Sequence, residues 1–293
     1  MRTSSSRRGA PFKHIGGSGA GFWVLIAFLA FGLIVPLVFL FARLFSGGQF
    51  AFGDQRGVWE SLRFLFTEDY YRGGIIRTFR VVSIATIVSV TGGYAVALAL
   101  RREDGSSNSA VALLLLLPIL SGPLVSVVGF LTSFSTGWPG YNLINGVRGL
   151  LGLQQGRVLQ TEIAVLIGIV HFNLPFVVLT LVGVLGRIPP RLIQVSKGLG
   201  AGSLTTFRRV IWPLSRGGVI AAGVIAFALS LSNFTYPEFL GGPRVPVLTT
   251  MVSQAMRSFA PDLAAASALL LVIMGTLLTV AYGLILRRGE RYH

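Results

Sequence analysis

The sequence predicts an all-α integral membrane protein with six transmembrane helices. Three observations carry that prediction. Of its 293 residues 53% are hydrophobic and only 12% charged, about half the charge fraction of an average soluble domain. The mean hydropathy is +0.73, which implies more apolar surface than a soluble chain of this length buries. The charges are also confined. None occurs between Lys13 and Arg43, Arg80 and Arg101, Asp104 and Arg148, Glu162 and Arg187, Arg216 and Glu238, or Asp262 and Arg287. Such hydrophobicity excludes disorder for the bulk of the chain, and the absence of Cys excludes a disulfide framework, a thiolate metal site and a Cys nucleophile.

A helix crosses the hydrocarbon core with about 20 residues, so five of the windows suit one crossing each. The first follows a basic segment (Arg2, Arg7, Arg8, Lys13) and runs through the apolar stretch 22–42. That stretch is longer than a signal-peptide core and has only a weak small-x-small site behind it, so it reads as an uncleaved span. The third window is long enough for two crossings. Its second half, STGWPGYNLING, is dense in turn formers and reads as turn and re-entrant structure, which keeps the count at six. Val111–Leu120 is nearly all aliphatic and inserts unaided, since each Leu, Ile, Phe or Val favours insertion by about 0.3–0.6 kcal/mol. The fourth span is interrupted by His171, Asn173 and Pro175 and relies on its neighbours.

Lys and Arg set the orientation. With a cytoplasmic N-terminus, fifteen of the 25 cations fall inside, six of them between Arg187 and Arg216. Both termini are then cytoplasmic. Residues 1–20 are expected to be a flexible cytoplasmic tail, and 21–76 the first span with an external loop. Residues 77–288 form a core of five spans, and 289–293 a short cytoplasmic C-terminal tail. The basic tail, residues 1–20, could also touch anionic membrane lipid, although a solvated tail that obeys the positive-inside rule is the expected state.

Chemistry of the chain's own is missing. Its three His, at 14, 171 and 293, form no H-E-x-x-H pattern, and neither Lys follows a phosphate-binding G-x-x-x-x-G. There is no G-x-S-x-G elbow. The chain is expected to be neither an enzyme nor a metal or cofactor binder, nor a partner of nucleic acid.

The informative segment is the loop 187–216, longer than a helical hairpin requires. Ile188-Pro189-Pro190 ends the fourth span, because a residue before proline is pushed out of the helical region. Residues 191–199 predict a short amphipathic helix with Leu192, Val195 and Leu199 on one face. Gly200 follows where a left-handed residue would close it, and Ser203 is placed to cap a second helix that runs to Pro213. The result is a helix–Gly–helix elbow, apolar on one side and cationic on the other.

The segment QVSKGLGAGSLTTFRRVIWPLSRGG resembles the EAA loop of the membrane subunits of binding-protein-dependent ABC importers. That pattern runs Glu-Ala-Ala, three residues, Gly, nine residues, Ile-x-Leu-Pro. Gly200, Val210, Trp212 and Pro213 take the Gly, Ile, Leu and Pro positions. Gln194, Val195 and Ser196 replace Glu-Ala-Ala, so the acid is missing. Between about 77 and 288 further stretches are similar to spermidine/putrescine-type permeases: GYNLINGVRGLLGL, the His-x-x-x-Pro element at His171 and Pro175, and SNFTYPEFLGGP.

The resemblance implies a type I ABC importer permease fold with a cytoplasmic coupling-helix loop. It implies pairing with a second, identical or homologous permease subunit, two ABC ATPase subunits that carry ATP and Mg, and an extracytoplasmic substrate-binding protein. The ATPase-coupling residues would be Gln194, Val195, Ser196, Lys197, Leu199, Gly200, Ala201 and Pro213, with Lys197, Arg208 and Arg209 steering the partner. A polyamine-like cation is the expected cargo.

Polar groups inside spans mark candidate pathways. His171 and Asn173 in the fourth span, Asn233 at the end of the fifth and Glu238 beyond it are the substrate-pathway candidates. Ser230 and Ser232 share the fifth span, and Thr86, Ser89 and Thr91 the second. Asp262 stands with Glu238 as an acid near the outer mouth. An ion-gradient-driven secondary transporter is the alternative class, but it usually brings internal repeats and intramembrane acids. No acid lies within the windows.

Overall fold

The computed structural model describes residues 19–46, 58–100, 109–152 and 154–290. In chain order the helices are α1 (Gly19–Ser46), α2 (Val58–Thr67), α3 (Asp69–Leu100), α4 (Ser109–Ser133), α5 (Pro139–Leu150), α6 (Glu162–Gly186), α7 (Pro190–Gly198), α8 (Ser203–Ser232), α9 (Leu248–Arg257) and α10 (Pro261–Glu290). The described residues contain no strand. One long helix occupies each charge-free window. Of these, α3, α6 and α8 are long and apolar enough to cross a membrane, and shorter apolar stretches lie at Trp23–Gly32 in α1, Leu117–Ser133 in α4 and Pro261–Leu277 in α10. The expected tail, residues 1–20, lies almost wholly outside the described residues, as does the end of the C-terminal tail.

The chain divides into two compact units, residues 1–48 and 49–293. In the first, α1 presents Trp23, Phe28 and Phe31 on its exposed surface, the residue types a lipid-facing helix carries. The second is built on α3, α6 and α8. Toward the start of α6, Val81 and Ala85 of α3 pack with Val165 and Ile169 of α6 and with Tyr236 and Leu240 from the turn after α8. Toward its end, Tyr94 and Ala97 of α3 meet Val177, Val178 and Leu181 of α6 and Ala222 and Ala226 of α8.

Small residues let these helices approach, the usual means of packing where lipid tails are as apolar as the side chains. A Cβ at Gly93 would lie 2.6 Å from a Val177 methyl, and one at Gly218 would lie 2.5 Å from Val184. Neither position admits a larger residue without separating the helices.

α4 is interrupted at its centre. Gly122 has φ 71°, ψ 164°, with Pro118 before it and Pro123 after it. Proline supplies no N–H and crowds the carbonyl four residues back, so two prolines and a glycine account for the break. The Ser121 hydroxyl donates to the Pro118 carbonyl at 3.2 Å, just before the break.

The second half of the third window departs from expectation. It is not turn and re-entrant structure throughout but contains α5, twelve residues beginning at Pro139. Proline at a helix start loses no bond there, and the turn chemistry is confined to the flanks, at Gly137 (φ 88°) and Gly152 (φ 68°). Asn145, buried in α5, donates to the Gly156 carbonyl at 3.1 Å and accepts from the Gly156 N–H at 3.0 Å. That pair fastens the following loop to the helix.

Candidate functional site

The elbow forms where the loop spacing places it, with two corrections. α6 ends at Gly186 ahead of the two prolines, and α7 starts at Pro190. α7 closes at Gly198 with a left-handed residue after it: Gly200 has φ 80°. The Gly200 N–H bonds the Lys197 carbonyl at 2.9 Å, and the Ala201 N–H bonds the Ser196 carbonyl at 3.1 Å. This is the paired bonding of a Schellman end, which an L side chain would strain at Gly200.

The first correction concerns Ser203. Gly202 is the N-cap of the second arm, and no side chain makes a capping bond. The arms are instead joined further along, where the hydroxyls of Ser196 and buried Thr206 lie 3.0 Å apart. The second correction concerns Pro213, which does not end the helix. α8 runs from Ser203 through Pro213 to Ser232, with a π turn at Phe207–Ile211 just before the proline. Trp212 bonds back five residues to the Phe207 carbonyl. The widened turn accommodates a residue with no N–H whose ring would otherwise crowd the carbonyl of Arg209.

α7 carries no buried residue. Leu192, Val195 and Leu199 are exposed at 44%, 60% and 83%, so the apolar face expected from the periodicity is present and uncovered. Gln194 and Lys197 are exposed beside it, and Arg208 and Arg209 are exposed on the second arm. Such a face on an otherwise cationic elbow is suited to docking against a protein partner.

The pathway candidates lie on other segments than the elbow: α6 and the stretch that follows α8. His171 is half-buried in α6, its ring edge-on to Phe130 of α4 at 5.1 Å. Asn173 is fully buried between α6 and α8. Its amide donates to Ser230 Oγ at 2.7 Å and to the Ala226 carbonyl at 3.3 Å. Asn233 follows α8. Its side-chain oxygen accepts from the Tyr236 N–H at 3.2 Å, and its carbonyl accepts from Thr249 Oγ1 at 3.2 Å. Glu238 receives an Arg257 N–H in an ion pair. Both border a cavity of about 240 Å³ lined also by Tyr70, Thr250 and Gln254.

Asp262 is buried in the first turn of α10 rather than solvated, where the helix N-terminus favours a carboxylate. In α3, Thr86 is buried and bonds its own helix at the Val82 carbonyl.

Two arrangements had no local signal in the sequence. Glu162, at the start of α6, pairs with Arg77 at 2.9 Å and with Arg80, both on α3. Tyr94 of α3 shares a 2.7 Å hydrogen bond with Ser215 of α8. The only hint was position: charges bracketing two windows, and a tyrosine inside one.

The comparisons with known proteins fit this architecture. The profile described as binding-protein-dependent transport system inner membrane component matches residues 89–291. The chain is 29% identical over 211 residues to the spermidine/putrescine transport system permease protein PotB of Haemophilus influenzae, covering 68% of this chain and 70% of that one. It is 26% identical over 261 residues to PotB of Escherichia coli (85% and 92% covered) and 23% identical over 259 residues to PotC of Haemophilus influenzae (88% and 93%). Among solved structures, the bacterial alginate ABC transporter in complex with an alginate pentasaccharide-bound periplasmic protein superimposes with TM-score 0.70 at 18% identity (92% and 93% covered). A bacterial ABC transporter involved in the import of alginate gives 0.74 at 15% (92% and 94%). At those identities the likeness establishes the fold.

The chain belongs to the family of inner membrane components of binding-protein-dependent transport systems. It is the permease of an ABC importer, an inner membrane protein rather than an enzyme, with ATP hydrolysis on a separate subunit. That membership sets aside the ion-gradient-driven alternative.

Proposed function

We propose that this permease moves a polyamine-like cation from an extracytoplasmic binding protein into the cytoplasm by alternating access, paired with a second permease and driven by two ABC ATPase subunits that hold ATP and Mg. The cargo reading leans on the spermidine/putrescine permeases to which the chain is similar. The orientation is six spans with both termini cytoplasmic, which puts the cationic elbow at the cytoplasmic surface as the positive-inside rule favours.

One observation carries the coupling: the uncovered apolar face of α7, held rigidly by the closure at Gly200. A flexible loop would absorb the stroke of a closing ATPase, whereas a helix locked by paired backbone bonds transmits it. Val195 and Leu199 would enter a groove on the ATPase, with Gln194, Lys197 and Ala201 at its margin. Ser196 fastens the two arms, and Pro213 with its π turn fixes where the second arm enters the membrane. His171, Asn173, Asn233 and Glu238 are assigned to the pathway side. His171 is the most accessible of those within a span, and Glu238 sits at the end remote from the elbow.

The test is Gly200→Asp in the reconstituted complex. Uptake is expected to vanish while membrane insertion stays intact, because a side chain at that φ opposes the closure. Normal uptake would count against the assignment. Uptake by the parent complex of labelled spermidine, against a betaine and a phosphonate, tests the cargo.

A further inference from the structure

The elbow meets the membrane part of the chain through a weak point. Five residues of α8, Phe207–Ile211, form a π turn, where the hydrogen-bond ladder is less regular than in an α-helix. A force applied at α7 reaches the spans by two routes, through residues 187–189 into α6 and through this turn into α8.

Tyr94 bridges it from α3. Its ring lies edge-on to Phe207, the first residue of the π turn, with centroids 6.1 Å apart. It is also edge-on to Trp212, the residue immediately after the turn, at 5.9 Å. Phe207 and Trp212 are themselves 6.4 Å apart. The Tyr94 hydroxyl is 2.7 Å from Ser215 Oγ, and Ser215 Oγ in turn reaches the Trp212 carbonyl at 3.3 Å. A single buried side chain therefore touches α8 at the start of its irregular segment, just after it and one turn beyond it.

The other end of this splint is anchored firmly. Tyr94 follows Gly93, whose backbone sits against Val177 of α6. Tyr94 also belongs to the core shared by α3, α6 and α8. On the far side of the π turn, Thr206 is tied to Ser196 of α7. The contacts form one continuous series from α7 to α3 that does not depend on the α8 backbone alone.

We propose that Tyr94, reaching from α3 across the π turn of α8, is the joint through which displacement of the elbow moves α3. It is a positioning residue for the transport stroke, touching neither nucleotide nor cargo. The ring supplies stiffness, since edge-to-face aromatic contacts have a preferred geometry. The hydroxyl fixes the ring's orientation against Ser215. This inference rests on the reading of the elbow as the ATPase-coupling element.

The experiment uses the full permease–ATPase–binding-protein complex, and it needs no knowledge of the cargo. The chain has no Cys, so a single introduced cysteine is unique in it, and the partner subunits are used in Cys-free form. A fluorophore at Ile87→Cys, exposed on α3, reads α3. A second preparation carries it at Arg191→Cys, exposed on α7. Each is measured nucleotide-free and trapped with ATP and vanadate.

The parent is expected to respond at both positions. Tyr94→Leu is expected to keep the α7 response and reduce the α3 response by about tenfold, and Tyr94→Phe by about two- to threefold, within the range that coupling residues modulate. An unchanged α3 response in assembled Tyr94→Leu complexes would overturn the joint. Absence of any α7 response in the parent would instead overturn the elbow reading beneath it. If Tyr94→Leu fails to assemble, Tyr94→Phe and Ser215→Ala decide: both weaken α3's response at normal ATP trapping, or the proposal falls.

Discussion

Asn173 illustrates what a polar residue inside a span does at the scale of one side chain. It contributes two hydrogen bonds between α6 and α8, and Ser230, its partner, also bonds its own helix at the Ala226 carbonyl. Removing the amide therefore leaves no orphaned hydroxyl. Asn173→Leu is expected to cost no more than about 2 kcal/mol, in keeping with interhelical hydrogen bonds in membranes. Asn173→Asp puts a charge at the same buried point and is expected to cost more, of the order of the 2.5–3.5 kcal/mol that opposes a charge at a helix centre. Thermal denaturation of the two variants in detergent checks the order. A less stable Leu variant would show that the amide does more than join helices.

At the scale of the element, two adjacent glycines in α3 separate propensity from packing. A Cβ at Gly92 would meet only a Leu174 methyl at 3.9 Å, whereas one at Gly93 would lie 2.6 Å from Val177. Alanine is favoured over glycine inside a helix by about 1 kcal/mol, so Gly92→Ala is expected to be neutral or stabilising. Gly93→Ala gains the same propensity but overpacks the contact with α6, typically a cost of about 1–3 kcal/mol. Opposite signs in paired melting curves are the expected result. A stabilising Gly93→Ala would mean that α3 yields against α6 at this contact. The elbow follows the same logic: its two arms hold their angle through backbone bonds at Gly200 and the hydroxyl pair Ser196–Thr206, both local and both short.

For the molecule as a whole, the arrangement of the spans has a direct test. Lys197 on α7 and Gln254 on α9 are both exposed, and one span, α8, separates them. With no native Cys, Lys197→Cys in intact cells is expected to resist a membrane-impermeant thiol reagent until the membrane is opened. Gln254→Cys is expected to react from outside at once. Equal reactivity from one side would break the six-span orientation, whatever the status of the elbow. The tertiary arrangement also explains how an interrupted helix such as α4 persists: it packs on α6 and on the turn after α8 through Val127, Phe130 and Phe134, so its stability does not rest on an unbroken bond ladder.

The sequence by itself determined where the six long helices lie and where α6 and the first arm of the elbow stop. Charge-free windows read the six long helices because burying a charge in hydrocarbon is costly. Proline and glycine, whose backbone limits act locally, read the end of α6, the closure at Gly200 and the elbow. The same local rules failed where a neighbour or an irregular turn intervened. Pro213 looked like a terminator because a π turn is not visible in composition, and STGWPGYNLING read as turn and re-entrant structure although from Pro139 on it belongs to α5. Only the tertiary structure decided which polar groups meet. Asn173 with Ser230, Arg77 with Glu162 and Tyr94 with Ser215 are separated by 57, 85 and 121 residues. Periodicity fixes the face of a helix on which a side chain sits; the partner on the opposite face comes from how three helices pack.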